Sequence, residues 1–152
     1  MAIGDLLERL PSLKKFRSGS PVAEATIVEI ERQLGVRLPV DYVDLLRKFG
    51  FVRWFGHAVY GVHRNESEKA AGYDFDVVTQ TLRARNEQIS PEYQALPIDG
   101  VVIERYDAGG WYLLFAAESP RAGQVALFDH EVNGTEVQSW ESLENFLLWL
   151  IA

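Results

Sequence analysis

Cysteine is absent from this 152-residue chain, so neither a disulfide framework nor a cysteine-based zinc site can be built. The absence agrees with a reducing compartment. Long apolar runs are missing too. The longest, "FLLWLIA" at 146–152, falls far short of the ~20 residues that a membrane-spanning helix needs. The opening "MAIGDLLERLPSLKKFRSGS" lacks the basic start, apolar core and small-residue cleavage site of a secretory signal. These readings lead us to expect a soluble cytoplasmic protein with no membrane partner.

Positive charge is scarce in one part of the chain. Residues 86–152 hold 11 Asp and Glu against only Arg105 and Arg121, a balance of -9. Residues 1–85 hold 11 acids against 13 Lys and Arg, a balance of +2, and the whole chain carries -7. An acidic half attracts cationic surfaces and repels phosphate backbones. Nucleic acid is therefore not an expected partner, although "KKFR" and "LRARN" are basic. The plainer alternative is a solvated acidic surface that aids solubility.

What is present is an ordinary globular composition, 47% hydrophobic and 24% charged, of a length that suits a single domain over residues 1–152. Ile3, Leu6, Leu7 and Leu10 follow the 0, 3, 4, 7 spacing of a helical face, with Pro11 as a stop. "KKFRSGSP" reads as a loop. Ala23, Ile27, Ile30 and Leu34 mark a second helix, which Gly35 ends in a left-handed cap. Pro39 opens a third helix with Asp41 in its first turn. Tyr42, Leu45, Leu46 and Phe49 form its stripe and Gly50 closes it.

"FVRWF" and "HAVYGVH" read as strands hinged at Gly56, and "RNESEKAAGYD" as a loop. "DFDVVTQTLRARNEQ" reads as a helix with Phe75, Val78 and Leu82 inward and Asp74 or Asp76 as its cap. "VVIERY", "WYLLFAA" and "QVALFDH" follow as strands. "WYLLFAA" is apolar on both parities, as a strand covered on both faces would be. Asn133-Gly134 signals a type I′ hairpin. Leu143, Phe146, Leu147 and Leu150 form a closing helix after Ser139 or Ser142, flanked by Trp140 and Trp149. The expected fold is α+β. It has an antiparallel sheet of about five or six strands, an N-terminal helix pair, a middle helix and a C-terminal helix, with the helices on one face.

Catalytic machinery is hard to find. His57 and His63 share a strand parity but, at ~3.3 Å per residue, stand roughly 20 Å apart, too far to share a metal. Asp129, His130 and Glu131 read first as polar residues leading into a hairpin, with a weak metal or proton-transfer site as the alternative. No serine sits in a nucleophile elbow. "DAGGW" is not a phosphate loop. Paired carboxylates are a matter of spatial separation that spacing along the chain does not reveal. No metal, no cofactor and no catalytic residue are expected.

One stretch carries a resemblance. "IVEIERQLGVRLPVDYVDLLRKFG" is similar to the signature of the SUKH superfamily through Glu31, Leu34, Gly35, Leu38, Pro39, Asp41, Tyr42, Leu45 and Gly50. "VALFDHE" (125–131) resembles the family strand ending in Asp-His-Glu, and "SLENFLLWL" (142–150) resembles its closing helix. Phe49 stands where the family often has Asn, and Leu143 replaces an aromatic of the closing helix. The group includes yeast cell-wall-assembly regulators and many bacterial immunity proteins.

The resemblance implies an α+β fold and a non-enzymatic protein. It implies immunity by stoichiometric binding of a cognate toxin, possibly a nuclease, with a basic surface. A regulatory adaptor domain for an endogenous protein is the alternative, and an unrecognised hydrolase stands third. Under the immunity reading the expected partner contacts are the acids Glu104, Asp107, Glu118, Asp129, Glu131 and Glu136, with Trp54 or Trp111 as aromatic anchors. Trp54, Phe55 and Tyr60 are read first as core, with partner contact as the alternative. Neither the oligomeric state nor the identity of the toxin follows from the sequence.

Overall fold

The computed structural model describes residues 3–65 and 74–152; most of the expected 64–74 loop lies outside them. The chain opens with helix α1 (Ile3–Arg9), which continues as a 3-10 turn through Leu10–Ser12. Ile3, Leu6, Leu7 and Leu10 are buried as their spacing predicts. Pro11 tightens the helix at its end, because a 3-10 turn tolerates a missing N–H at its start. The stretch expected to be a loop carries a short strand, β1 (Arg17–Ser18).

Helices α2 (Glu24–Leu34) and α3 (Val40–Phe49) form the expected pair. Gly35 takes φ 69° at the end of α2. The link after it is held by one residue. The Glu31 carbonyl accepts from Gly35 N at 2.8 Å and Val36 N at 3.2 Å, and its carboxylate accepts from Leu38 N at 2.8 Å. Pro39 precedes the first turn of α3. Tyr42 is fully buried and its hydroxyl donates to the Tyr60 carbonyl at 2.6 Å, which fixes α3 against the strands that follow. At Gly50 (φ 76°) and Gly61 two backbones cross, with Val62 N donating to Gly50 O at 3.0 Å. A Cβ at Gly61 would overlap the Gly50 carbonyl. Only hydrogen fits there.

Two antiparallel sheets replace the single sheet expected. The smaller has order β1-β2-β3, with β2 (Val52–Trp54) and β3 (His57–Val59) turned at Phe55-Gly56. The larger is a meander of β4 (Gly100–Tyr106), β5 (Gly110–Phe115), β6 (Val125–Asp129) and β7 (Thr135–Trp140). All of β5 is buried, as a strand apolar on both parities must be. The β6–β7 connection spans residues 130–134. Asn133 (φ 59°) and Gly134 (φ 73°) take the positive φ their dipeptide favours. A 3-10 turn at His130–Val132 precedes them, so the loop is longer than a two-residue hairpin.

Helix α4 (Val77–Arg85) is capped by Asp76, whose carboxylate accepts from Thr79 N at 2.9 Å. Its inward face differs from the expected stripe. Phe75 is buried ahead of the helix, but Val78 is half-buried and Leu82 is 39% exposed, while Val77, Gln80, Thr81 and Ala84 face the core. Two of these are polar and satisfied. Thr81 Oγ1 accepts from Val102 N at 2.9 Å and Gln80 Nε2 donates to Asp74 O at 2.8 Å. A count of apolar residues does not register polar side chains that meet backbone groups in the core.

Helix α5 (Leu143–Ile151) begins at Ser142, whose hydroxyl accepts from Asn145 N at 3.0 Å. Phe146 of α5 lies 4.9 Å from the Tyr112 ring, whereas Trp111 Nε1 donates to Glu87, just beyond α4, at 3.2 Å. Neighbouring strand residues point to opposite faces. The large sheet is therefore covered on both sides, not on one.

Candidate functional site

The turns of β2–β3, β4–β5 and β6–β7 gather at one end of the molecule. Strand β3 runs beside β4 in the opposite direction, so the Phe55-Gly56 turn and the 107–109 turn share that end. His130 N donates to Gly109 O at 2.9 Å and brings the β6–β7 loop to the same place. Asp107 lies exposed in the β4–β5 turn and Glu131 lies exposed in the β6–β7 loop.

The eight residues expected from the sequence do not form one patch. Trp54 (8% exposed) and Trp111 (4%) are core residues, so neither is available as a surface anchor. Glu104 is 6% exposed and turned inward. Its carboxylate accepts from Ala58 N at 2.8 Å, and His57 Nδ1 lies 3.3 Å away. Glu118 spends both oxygens on Arg37 N at 3.1 and 3.0 Å, at the opposite end of the sheet. Glu136 pairs with the Arg121 guanidinium, which lies 4.4 Å over the Phe115 ring. Asp129 caps the 3-10 turn through Glu131 N at 2.9 Å. Asp107, Asp129 and Glu131 alone share the turn end. Each acid that is spent answers an N–H or a cation set by the tertiary fold, and residue type does not reveal which will be claimed.

A cluster of shifted titratable groups lies at the joint between the sheets. Tyr60 N carries the backbone contact across the joint, donating to Ile103 O at 2.7 Å, at the point where β4 bulges out of register with β5 between Val102 and Glu104. Side chains continue it: Glu104 accepts from Ala58 N, and the Tyr60 hydroxyl accepts from Arg105 N at 3.1 Å. Burial pushes the Glu104 carboxyl up, against the lowering pull of His57 and Ala58 N. His57 is raised, first by its hydrogen bond to Glu104, against an opposing cost of burial, with Asp107 adding to the rise. Tyr60 is pushed up to about 12 by burial. A carboxylate and a histidine in contact could in principle exchange a proton. Here Glu104 is fastened to the backbone and closed from solvent, so the pair reads as a structural joint.

The other histidines are also built in. His63 Nε2 accepts from Phe75 N at 2.8 Å, between the Phe51 and Phe75 rings. His130, expected to oppose Asp129 and Glu131, does turn the other way, edge-on to Tyr93 and Trp111. Among the described residues no group of three or more His, Asp or Glu side chains is placed to hold a metal ion. An open depression of about 290 Å³ is lined by Pro39, Val40, Asp41, Ala117, Ala122 and Gly123. Its one acid, Asp41, is raised by burial and then by Asp44 and Glu144, with no base among the lining residues. No described helix is long and apolar enough to cross a membrane.

The helix pair, the Glu31-held link and the closing helix sit where the resemblance requires them, and the model of the SMI1-KNR4 cell-wall family (SUKH_5) matches residues 3–151. The chain belongs to that family. No curated protein matches the chain. Membership points to an immunity-type or regulatory domain, in a family whose members are typically non-enzymatic. For this SUKH-family domain the signature acquires physical content. Glu31 and Gly35 hold the link, Tyr42 ties α3 to β3, and Gly50 and Gly61 permit the backbone crossing.

Phe55, expected first as a core residue, is instead an exposed aromatic set in cations. Phe55 is 61% exposed, with Lys14 Nζ 5.1 Å and Lys15 Nζ 5.6 Å from its ring centre. The turn that was read as one aromatic cluster thus divides: Trp54 and Tyr60 are core, while Phe55 is displayed. "KKFR" was legible as basic, but its contact with Phe55, some forty residues on, carries no local signal.

Proposed function

We propose that this protein is an immunity-type inhibitor that binds a cationic protein toxin and blocks it by stoichiometric association, without turnover. Family membership supports this reading, and so does the placement of Asp107 and Glu131. Both are exposed, and neither pairs with a cation among the described residues. They share a turn end that the Gly109–His130 hydrogen bond holds together. Preorganised carboxylates of this kind steer a basic partner and raise its rate of association. The contact area is smaller than the whole acidic half, because Glu104, Glu118 and Glu136 are spent within the fold.

The cytoplasm is the compartment in which such an inhibitor would meet its toxin, and a nuclease is the toxin class whose basic cleft fits best. The test is co-purification with the product of the adjacent gene, followed by a protection assay. The double variant D107K/E131K should slow association about tenfold or more at low salt, with the difference shrinking as salt is added. Unchanged association kinetics would remove these two residues from the interface. The family description also favours a second reading, a regulatory adaptor for an endogenous protein. An endogenous partner captured in place of a toxin, with no protection, would select it.

A further inference from the structure

The turn end carries both signs of charge. On one side lie Lys14 and Lys15 over Phe55, with Arg17 following them in β1; on the other lie Asp107 and Glu131. Phe55 occupies the turn ahead of Gly56 (φ 83°), and its N–H donates to the Lys14 carbonyl at 3.0 Å. That bond pins the loop carrying both lysines to the turn. Arg17 stands directly across from Arg53 in the β1–β2 register, a like-charge pairing that costs stability unless an outside anion answers it. Arg17 Nη1 is occupied only by the carbonyl of its neighbour Phe16, and Arg53 lies 6.0 Å over the Phe75 ring. None of Lys14, Lys15, Arg17 or Arg53 pairs with an acid among the described residues.

The two halves are close neighbours. His57, next to the Phe55-Gly56 turn, touches Glu104 at 3.3 Å. Asp107 follows Glu104 into the β4–β5 turn, and Gly109 leads on to His130 and Glu131. An extended anionic surface, whether membrane or nucleic acid, would meet the carboxylates as soon as it met the lysines. A cationic surface would meet the reverse. The occupant that satisfies both halves carries the same arrangement turned by half a rotation.

We propose that this end is a self-complementary interface, on which a second copy of the chain docks by two-fold symmetry. The Lys14-Lys15-Arg17 side of each copy faces the Asp107–Glu131 side of the other, with the two Phe55 rings near the axis. An isologous contact needs a patch that matches itself under rotation, and two adjacent lobes of opposite charge flanking an exposed aromatic meet that condition. Repulsion between two bodies of net charge -7 is largely screened at about 0.1 M salt, where the Debye length is ~10 Å, whereas contacts within the interface are not.

A cationic partner bound at Asp107 and Glu131 would compete with the second copy. The interface nevertheless stands independently of the toxin reading, because the experiment contains this protein alone.

Sedimentation of the purified chain over a concentration series, at about 0.1 M salt, should show a reversible dimer in the high-micromolar range. The variants K14E/K15E and D107K/E131K should each dimerise about tenfold more weakly. An equimolar mixture of the two should recover a heterodimer at least as tight as the parent, because one variant then presents mainly acids and the other mainly bases. F55S should weaken the dimer without changing its charge, and thermal melts of all variants should remain cooperative. A parent that stays monomeric, a variant that dimerises like the parent, or a mixture no tighter than its components would each overturn the interface.

Discussion

Glu104 stands where a backbone carbonyl would stand. Its Oε2 accepts the Ala58 N–H at 2.8 Å, beside the bulge where β4 shifts register against β5. The two sheets are thus joined by a carboxylate and, one step away, by the Tyr60 hydroxyl. Its other oxygen, Oε1, is buried with no hydrogen-bond partner among the described residues, so the joint is made at a cost in desolvation.

Removing that carboxylate should therefore be expensive. Glu104→Ala orphans a buried N–H and leaves a void, and should lower stability by about 2–4 kcal/mol. Glu104→Gln keeps an acceptor of the same shape and should cost about 1 kcal/mol. Urea midpoints of the two variants test this. Equal midpoints would mean that the Ala58 contact carries no weight.

The same joint should make stability fall as pH rises. His57 is raised above its ordinary 6.5 by Glu104 and then Asp107, so the folded state holds its proton more tightly than the unfolded chain. The stability this confers is complete below about 6.5 and lost as pH climbs through the raised folded value. Glu104, raised by burial, acts with the same sign, its contribution complete below its ordinary 4.5 and lost as pH climbs through the raised folded value. His57→Gln should accordingly lose stability relative to the parent below pH ~6.5 and converge with it in alkali. A difference that does not vary with pH would remove His57 from this role.

Where the backbone at Gly61, beyond β3, crosses Gly50 at the end of α3, the constraint is steric. Gly61→Ala drives a methyl group into the Gly50 carbonyl, and backbone cannot yield as a side chain can. A loss of about 3 kcal/mol or more, or failure to fold at 37 °C, is expected. Gly4→Ala, where a Cβ meets nothing within 4 Å, serves as the comparison and should be neutral or slightly stabilising. Thermal melts of the pair check both.

Regular, local signals were legible. The α3 stripe, Ile27, Ile30 and Leu34 of α2, the Gly35 cap and the burial of β5 all follow from periodicity or from φ preferences that each residue carries with it, whereas Ala23, expected on the α2 stripe, is exposed at the N-cap. The inward face of α4 was not legible, because Gln80 and Thr81 are core residues only by virtue of Asp74 O and Val102 N. Nor was β1, since two residues form a strand only when β2 offers a ladder. The site was read as a carboxylate-rich half. The structure shows that acid count and acid availability differ: Glu118 was taken by Arg37 N, Glu136 by Arg121, and Glu104 by Ala58.

From its own residues the chain specified an α+β domain, the order of its helices, its central strand and its family. These rest on interactions among residues close in sequence, or on burial patterns that any compact partner satisfies. The division into two sheets, the carboxylate joint between them, and the meeting of Lys14, Phe55, Asp107 and Glu131 at one end were decided only in three dimensions. Each depends on groups far apart along the chain, whose contacts exist because the surrounding core holds them in register.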